Sequence, residues 1–279
     1  MATPASFHHP ASPQPAIPGA AAAAVAACAA MAVSYVAVLY APTALLRLPP
    51  PTSLHVFLHR RFLCAAFSSS ASLLATASLL RRLLLPILPR CGASEIRPSC
   101  SPCLAFGEIT CNTNRFELGD ASILKLLAPI TEELVFRACM VPLLLCGGFK
   151  IYNIIFLSPV FFSLAHLNHL FELHQQGRNF TRSLLIVGVQ LGYTVIFGWY
   201  AVFLFTRTGN IVSPIVAHIF CNIMGLPVFS SPQKRGVASV AFLAGSLSFF
   251  WLLFPATSPK LYNSRIDQCS CWHGYCRWS

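Results

Sequence analysis

The residues from Ile17 to Tyr40 run without a single charged side chain, and the chain repeats that pattern several times. Ile151–Leu167, Leu184–Phe205, Ile211–Phe229 and Val237–Pro255 are also free of Asp, Glu, Lys and Arg, and Phe62–Pro89 is interrupted only by Arg81 and Arg82. A helix crosses a hydrocarbon layer with roughly 20 apolar residues. Backbone groups in lipid must find their hydrogen bonds within the segment, which a helix provides. Together with Ile123–Phe149, which does carry charges, this makes about seven candidate spans. Composition agrees. Hydrophobic residues are 56% of the chain and charged residues 10%, where soluble domains carry roughly 25% charge. So few charges cannot cover the surface of a water-soluble globule. The expected fold is all-α, a polytopic transmembrane helix bundle over residues 17–255.

Nineteen Lys and Arg face eight Asp and Glu, a formal net charge of +11. In a soluble protein that balance would point to nucleic acid. Here the basic residues are scattered between apolar stretches and read as membrane-flanking arginines, so the expected partner is a lipid bilayer and not a nucleic acid. The loop Ala41–Arg61 holds Arg47, Arg60 and Arg61 against no acid, which favours the cytosolic side, but the other basic residues fall on both sides of a simple alternation. Residues 1–16 lack Lys and Arg and are rich in Pro, Ala and Ser, the composition of a disordered tail rather than of a signal peptide. Residues 90–120 form a polar, Cys-rich segment without helical periodicity, and 256–279 a C-terminal tail. Cysteines cluster at Cys91, Cys100, Cys103 and Cys111, and again at Cys269, Cys271 and Cys276 with His273. No second Cys-x-x-Cys pair stands at a zinc-site spacing, so no metal and no cofactor is expected.

A charge inside an apolar helix costs roughly 2.5–3.5 kcal/mol on insertion scales and marks function by default. The most unusual charges lie together in Glu132-Glu133-Leu134-Val135-Phe136-Arg137. On a helix Glu133 and Arg137 share a face in the favourable order, an ion pair that fixes the helix. Glu132, about 100° round the helix, is left without a local countercharge and free to work. A second polar intrusion is Phe162-Ser163-Leu164-Ala165-His166-Leu167-Asn168-His169, where Phe162, His166 and His169 fall near one face and Glu172 follows His169 by one turn. The third puts His218 and Asn222 on one face of an otherwise apolar helix. A carboxylate and an imidazole can activate a water, and an imidazole with an amide can hold a developing oxyanion. These are the parts of a hydrolase. No HExxH, P-loop, GxGxxG or serine-nucleophile motif is present.

The three motifs, in this order, resemble those of the type II CAAX prenyl endopeptidases, within a wider group of glutamate-dependent intramembrane proteases. The resemblance runs from about Ala128 to the C-terminus. It implies removal of the last three residues from prenylated CAAX proteins, in the endoplasmic reticulum membrane, at a site reached from the cytosol. By motif position it makes Glu132 the catalytic glutamate, His166 its water-binding partner, and His218 with Asn222 the oxyanion-stabilising pair. Glu133 and Arg137 match supporting positions, and His169 lies beside its motif as a further supporting residue. Members of that family have about eight spans, one of them where this chain has its short Cys-rich segment at 83–120. Two other functions stay open on the sequence: a zinc-dependent membrane protease using His166, His169, His218 and a Glu, and an inactive or scaffolding membrane protein that keeps the ion pairs for helix packing.

Overall fold

The computed structural model describes residues 19–49, 53–84, 120–225 and 235–262. The expected disordered tail at 1–16, nearly all of the Cys-rich segment and the C-terminal cysteines lie outside the described residues. Within them every regular element is helical. In chain order these are α1 (Ala20–Ala44), α2 (Leu54–Leu84), α3 (Asp120–Glu133), a π-helical turn (Leu134–Cys139), α4 (Met140–Cys146), α5 (Ile151–Ala165), α6 (Asn168–Gln175), α7 (Phe180–Thr208), α8 (Val212–Met224), α9 (Arg235–Ala256) and α10 (Pro259–Tyr262).

Five stretches are long and apolar enough to cross a membrane: Ala20–Pro42, His55–Arg82, Ile151–His174, Phe180–Thr208 and Ser239–Ala256. The other two expected spans take a different form. Ile123–Phe149 falls largely in the run of α3, π turn and α4, and the described part of Ile211–Phe229 forms the shorter α8. One boundary differs more. The loop expected over Ala41–Arg61 is helical at both ends, because α2 begins at Leu54, two turns before Phe62. Absence of charge reports the depth of lipid, not the length of helix, and Arg60 and Arg61 stay helical while their heads reach out of it.

The polarity of the bundle is that of a protein dissolved in lipid. On α1 the buried stripe is Ala20, Ala24, Cys28, Met31 and Tyr35, a set of steps of four and three residues along one face. Its small side chains let α1 close on the end of α4, where a Cβ on Gly147 would stand 2.7 Å from the Ala24 Cβ. The inward face of α2 is Ala65, Ser68, Ser69, Ser72 and Thr76, while Leu63, Phe67 and Leu74 point outward and are exposed. Small and hydroxylated residues pack helices where lipid is the competing solvent. Ser69 Oγ lies 2.8 Å from the Ala65 carbonyl and 3.0 Å from that of Thr131, tying α2 to α3. At the centre, every residue from Leu134 to Leu145 is buried. The outermost apolar helix is α9, which buries nothing over Ser239–Ala256. It leans on α7 through Phe249 against Tyr200 and Phe254 against Phe203.

α5 and α7 pack at backbone distance. A Cβ on Gly198 would lie 2.6 Å from the Pro159 Cβ and 3.2 Å from its Cα. The ring of Pro159 cannot rotate away, so Gly198→Ala is expected to destabilise the protein by about 1–3 kcal/mol through overpacking. Gly192 on the same helix meets open space, and Gly192→Ala should be neutral or slightly stabilising. Thermal unfolding of both variants in detergent checks the contrast.

Candidate active site

The site is built around one buried carboxylate. Glu133 ends α3 with its side chain fully enclosed. Its Oε1 accepts from Arg137 NH1 at 2.9 Å and from His218 Nδ1 at 2.7 Å. The ion pair expected from the i,i+4 spacing is therefore present, and a third helix joins it. The guanidinium of Arg137 is almost as deeply buried, and its carbon lies 4.5 Å from the Phe162 ring centroid and 5.7 Å from that of Phe197. Two aromatic faces thus share with one carboxylate the task of holding a cation in an apolar core. The π turn follows at once, with the Met140 N–H reaching the Val135 carbonyl five residues back. Such turns widen a helix by one residue and recur at functional sites.

Because Nδ1 of His218 is committed to Glu133, its Nε2 is the nitrogen left over, and it stands 3.6 Å from Glu132 Oε2. Glu132 is the more exposed of the two glutamates, its side chain 22% accessible against none for Glu133. It lines a cavity with His166, Tyr35, Thr131, Phe136 and Phe162. His166 Nδ1 lies 2.9 Å from the carbonyl of Phe162. A carbonyl oxygen only accepts, so Nδ1 carries the proton and neutral His166 keeps a lone pair on Nε2. The break between α5 and α6 falls at His166 itself, which lets the ring leave the line of α5 and fold back on Phe162, 4.8 Å between centroids. A water in this cavity would meet a carboxylate and an imidazole lone pair, both proton acceptors.

The structure brings Glu132, Glu133, Arg137, His166 and His218 into one constellation. Asn222 stands apart from it: one turn beyond His218 on α8, it is exposed and makes no hydrogen bond among the described residues. His169 lines the cavity, its ring 5.9 Å from that of His166, and its Nδ1 pairs with Glu172 Oε2 at 3.1 Å, as the spacing allows. Among the described residues, no three of His, Cys, Asp and Glu stand where they could hold a metal ion together. Phe162 lines the cavity, whereas Phe161, Phe197 and Trp199 do not.

Arg61, Asn168 and His169 line one end of the cavity, and contacts between distant parts of the chain hold them there. Arg61 pairs with Glu172 Oε1, and the Tyr40 hydroxyl donates to the same oxygen at 3.0 Å. Asn168 Nδ2 donates to the Tyr40 oxygen at 3.2 Å. The partners are more than a hundred positions apart in sequence, so nothing local could have shown them. They meet because α1 ends and α2 begins at the same end of the bundle.

A polytopic helical membrane protein with a carboxylate and an imidazole sharing one cavity is the class that fold and site define. Residues 115–224 match the family model described as type II CAAX prenyl endopeptidase Rce1-like. The chain is 45% identical to CAAX prenyl protease 2 of Arabidopsis thaliana, over 88% of its own length and 93% of that protein. It is 41% identical to the human CAAX prenyl protease 2 over 50% of this chain and 44% of that one. To the probable CAAX prenyl protease 2 of Schizosaccharomyces pombe it is 39% identical over 45% and 48%. No solved structure matches the chain. The chain belongs to the type II CAAX prenyl endopeptidases. Its alignment with the Arabidopsis protein spans 292 positions, more than the part of this chain it takes in, so that relative carries residues without a counterpart here.

The shared carboxylate makes a prediction that separates packing from chemistry. Glu133→Gln or Arg137→Met alone strands a buried charge and should cost about 3–5 kcal/mol. The double variant should recover much of that loss in a double-mutant cycle read by thermal unfolding. Peptidase activity should not recover with it, because His218 Nδ1–H then faces a neutral amide oxygen in place of a carboxylate.

Proposed function

We propose that this chain removes the C-terminal aaX tripeptide from prenylated CAAX proteins by an attack of water prepared at Glu132 and His166. The observation that carries this reading is their meeting on one cavity, with His166 Nδ1 tied to a carbonyl and its Nε2 free. Glu132 takes a proton from the water as the oxygen adds to the scissile carbonyl, while His166 Nε2 accepts the water's other hydrogen bond. A tetrahedral oxyanion forms. His218, with Nδ1–H held by Glu133, donates to it through Nε2 when that nitrogen is protonated, and Asn222 Nδ2 donates from one turn further along α8. Glu132 then passes its proton to the departing amine nitrogen and the C–N bond breaks. Charge is matched at each step, and no cofactor is needed.

The substrate carries a long isoprenoid, each buried CH₂ of which contributes about 0.8 kcal/mol toward lipid. A cavity between membrane helices accepts such a chain from the side while the peptide enters from water. The chain is a multi-pass membrane protein, and residence in the endoplasmic reticulum membrane with the cavity open to the cytosol is part of the same proposal. In its support, Arg47 follows α1 and Arg60 and Arg61 lie near the start of α2, at the end of the bundle where Arg61 lines the cavity.

Glu132→Gln keeps the shape and removes the base. Release of tripeptide from a farnesylated CAAX peptide should fall by about 10²- to 10⁴-fold, with the protein still inserted and folded. Near-normal turnover in that variant would end the proposal. Asn222 has no hydrogen-bond partner among the described residues to lose, so Asn222→Ala should leave stability unchanged. An oxyanion donor is worth about 10²- to 10³-fold in turnover, so kcat should drop by that order with a smaller change in KM. A loss confined to KM would make Asn222 a substrate clamp instead.

A further inference from the structure

An enzyme that removes only the last three residues must locate the end of its substrate, and the chemical mark of a peptide end is its free α-carboxylate. Among the described residues, the cavity that holds Glu132 and His166 is lined by one Lys or Arg side chain, that of Arg61. Its surroundings suit a site for an anion. One terminal nitrogen, NH2, is held by Glu172, while Nε and NH1 make no hydrogen bond among the described residues. Glu172 is itself fixed from two other sides, by the Tyr40 hydroxyl and His169 Nδ1. The guanidinium carbon lies 4.7 Å from the Phe57 ring centroid. Arg61 is thus held at NH2, and whichever edge of NH2 Glu172 leaves open, toward NH1 or toward Nε, can still take a two-pronged partner. A guanidinium offers five N–H donors and pairs with carboxylates in a two-pronged geometry. Asn168 and His169 line the same end of the cavity.

A continuous series of contacts links Arg61 to the water-activating side of the cavity. Arg61 touches Glu172, Glu172 bonds His169, and the His169 ring lies 5.9 Å from that of His166. A few side chains therefore separate the free arginine edge from the water-activating imidazole. Three extended residues reach at most about 10 Å. Resting on the reading of the chain as a CAAX endopeptidase, we propose that Arg61 receives the α-carboxylate of the substrate's last residue and so sets the cut three residues from the end.

The alternative role is a structural tie: Arg61 to Glu172 joins α2 to α6, and its loss would then harm every substrate alike. A substrate-modification cycle on the full-length protein in detergent separates the two. The probes are a farnesylated CAAX peptide with a free C-terminal acid and the same peptide as its C-terminal amide. The wild-type chain should cleave the acid with kcat/KM roughly 10- to 100-fold above the amide, the range for a hydrogen-bonded charged group. Arg61→Gln should lower the acid toward the amide, chiefly through KM, and leave the amide little changed. Arg61→Lys should restore part of the preference. Glu172→Gln breaks the tie but leaves the cation, so the preference for the acid should survive in it. Equal losses on both peptides in Arg61→Gln, or no preference in the wild type, would overturn the assignment. Failure of the wild-type chain to cleave either peptide would overturn the endopeptidase reading beneath it.

Discussion

The enclosed carboxylate of Glu133 is the point on which the rest of the structure turns. A carboxylate and a guanidinium removed from water each cost several kcal/mol, and their attraction repays this only with good geometry and further hydrogen bonds. Here one oxygen serves Arg137 and His218 at once, and two aromatic rings cover the guanidinium. The same contact does two things. It joins α8 to the end of α3, and it decides which His218 nitrogen faces Glu132. Packing and the orientation of His218 therefore cannot be tuned separately at this position.

Around that centre the helices are arranged with their polarity reversed relative to a soluble bundle. The serine-rich face of α2 is inside, and Leu63, Phe67 and Leu74 are outside. In water this would waste apolar area; in lipid the gain comes from close packing and from hydroxyls that find carbonyls. Tyr35 shows the result. Its ring packs edge-on against Phe136 at 5.7 Å and its hydroxyl meets Thr131 Oγ1 at 3.2 Å. One side chain from α1 thus steadies the residue just before Glu132.

Much of this was legible in the sequence. Runs without charge show the spans, and Glu132 and His166, which stand out as polar intrusions among them, line one cavity. The i,i+4 spacing of Glu133 and Arg137 gave their pairing, and the i,i+3 spacing of His169 and Glu172 gave theirs. Three things were not legible. Helix ends bearing arginine, as at Leu54–Arg61, look like loop when only apolar content is read. The bond from His218 to Glu133 joins residues 85 positions apart, and periodicity speaks only within a helix. The cluster formed by Tyr40, Arg61 and Glu172 depends on which helix ends meet. Sharing a face with His218 did not carry Asn222 into the same enclosure either: a helix face runs from buried to exposed along its length, and spacing alone does not say where that change comes.

The π turn at Leu134–Cys139 divides the central helix into two angular frames. Residues up to Glu133 keep the phase set by α3 against α2 and α8; residues from Met140 keep the phase set by α4 against α1. The bond between Glu133 and Arg137 crosses that seam and works as a stitch between frames. Deleting one residue within the seam would turn the two halves by about 100° against each other, so a stretch whose side chains are all apolar apart from Arg137 is tolerant in composition yet intolerant in length.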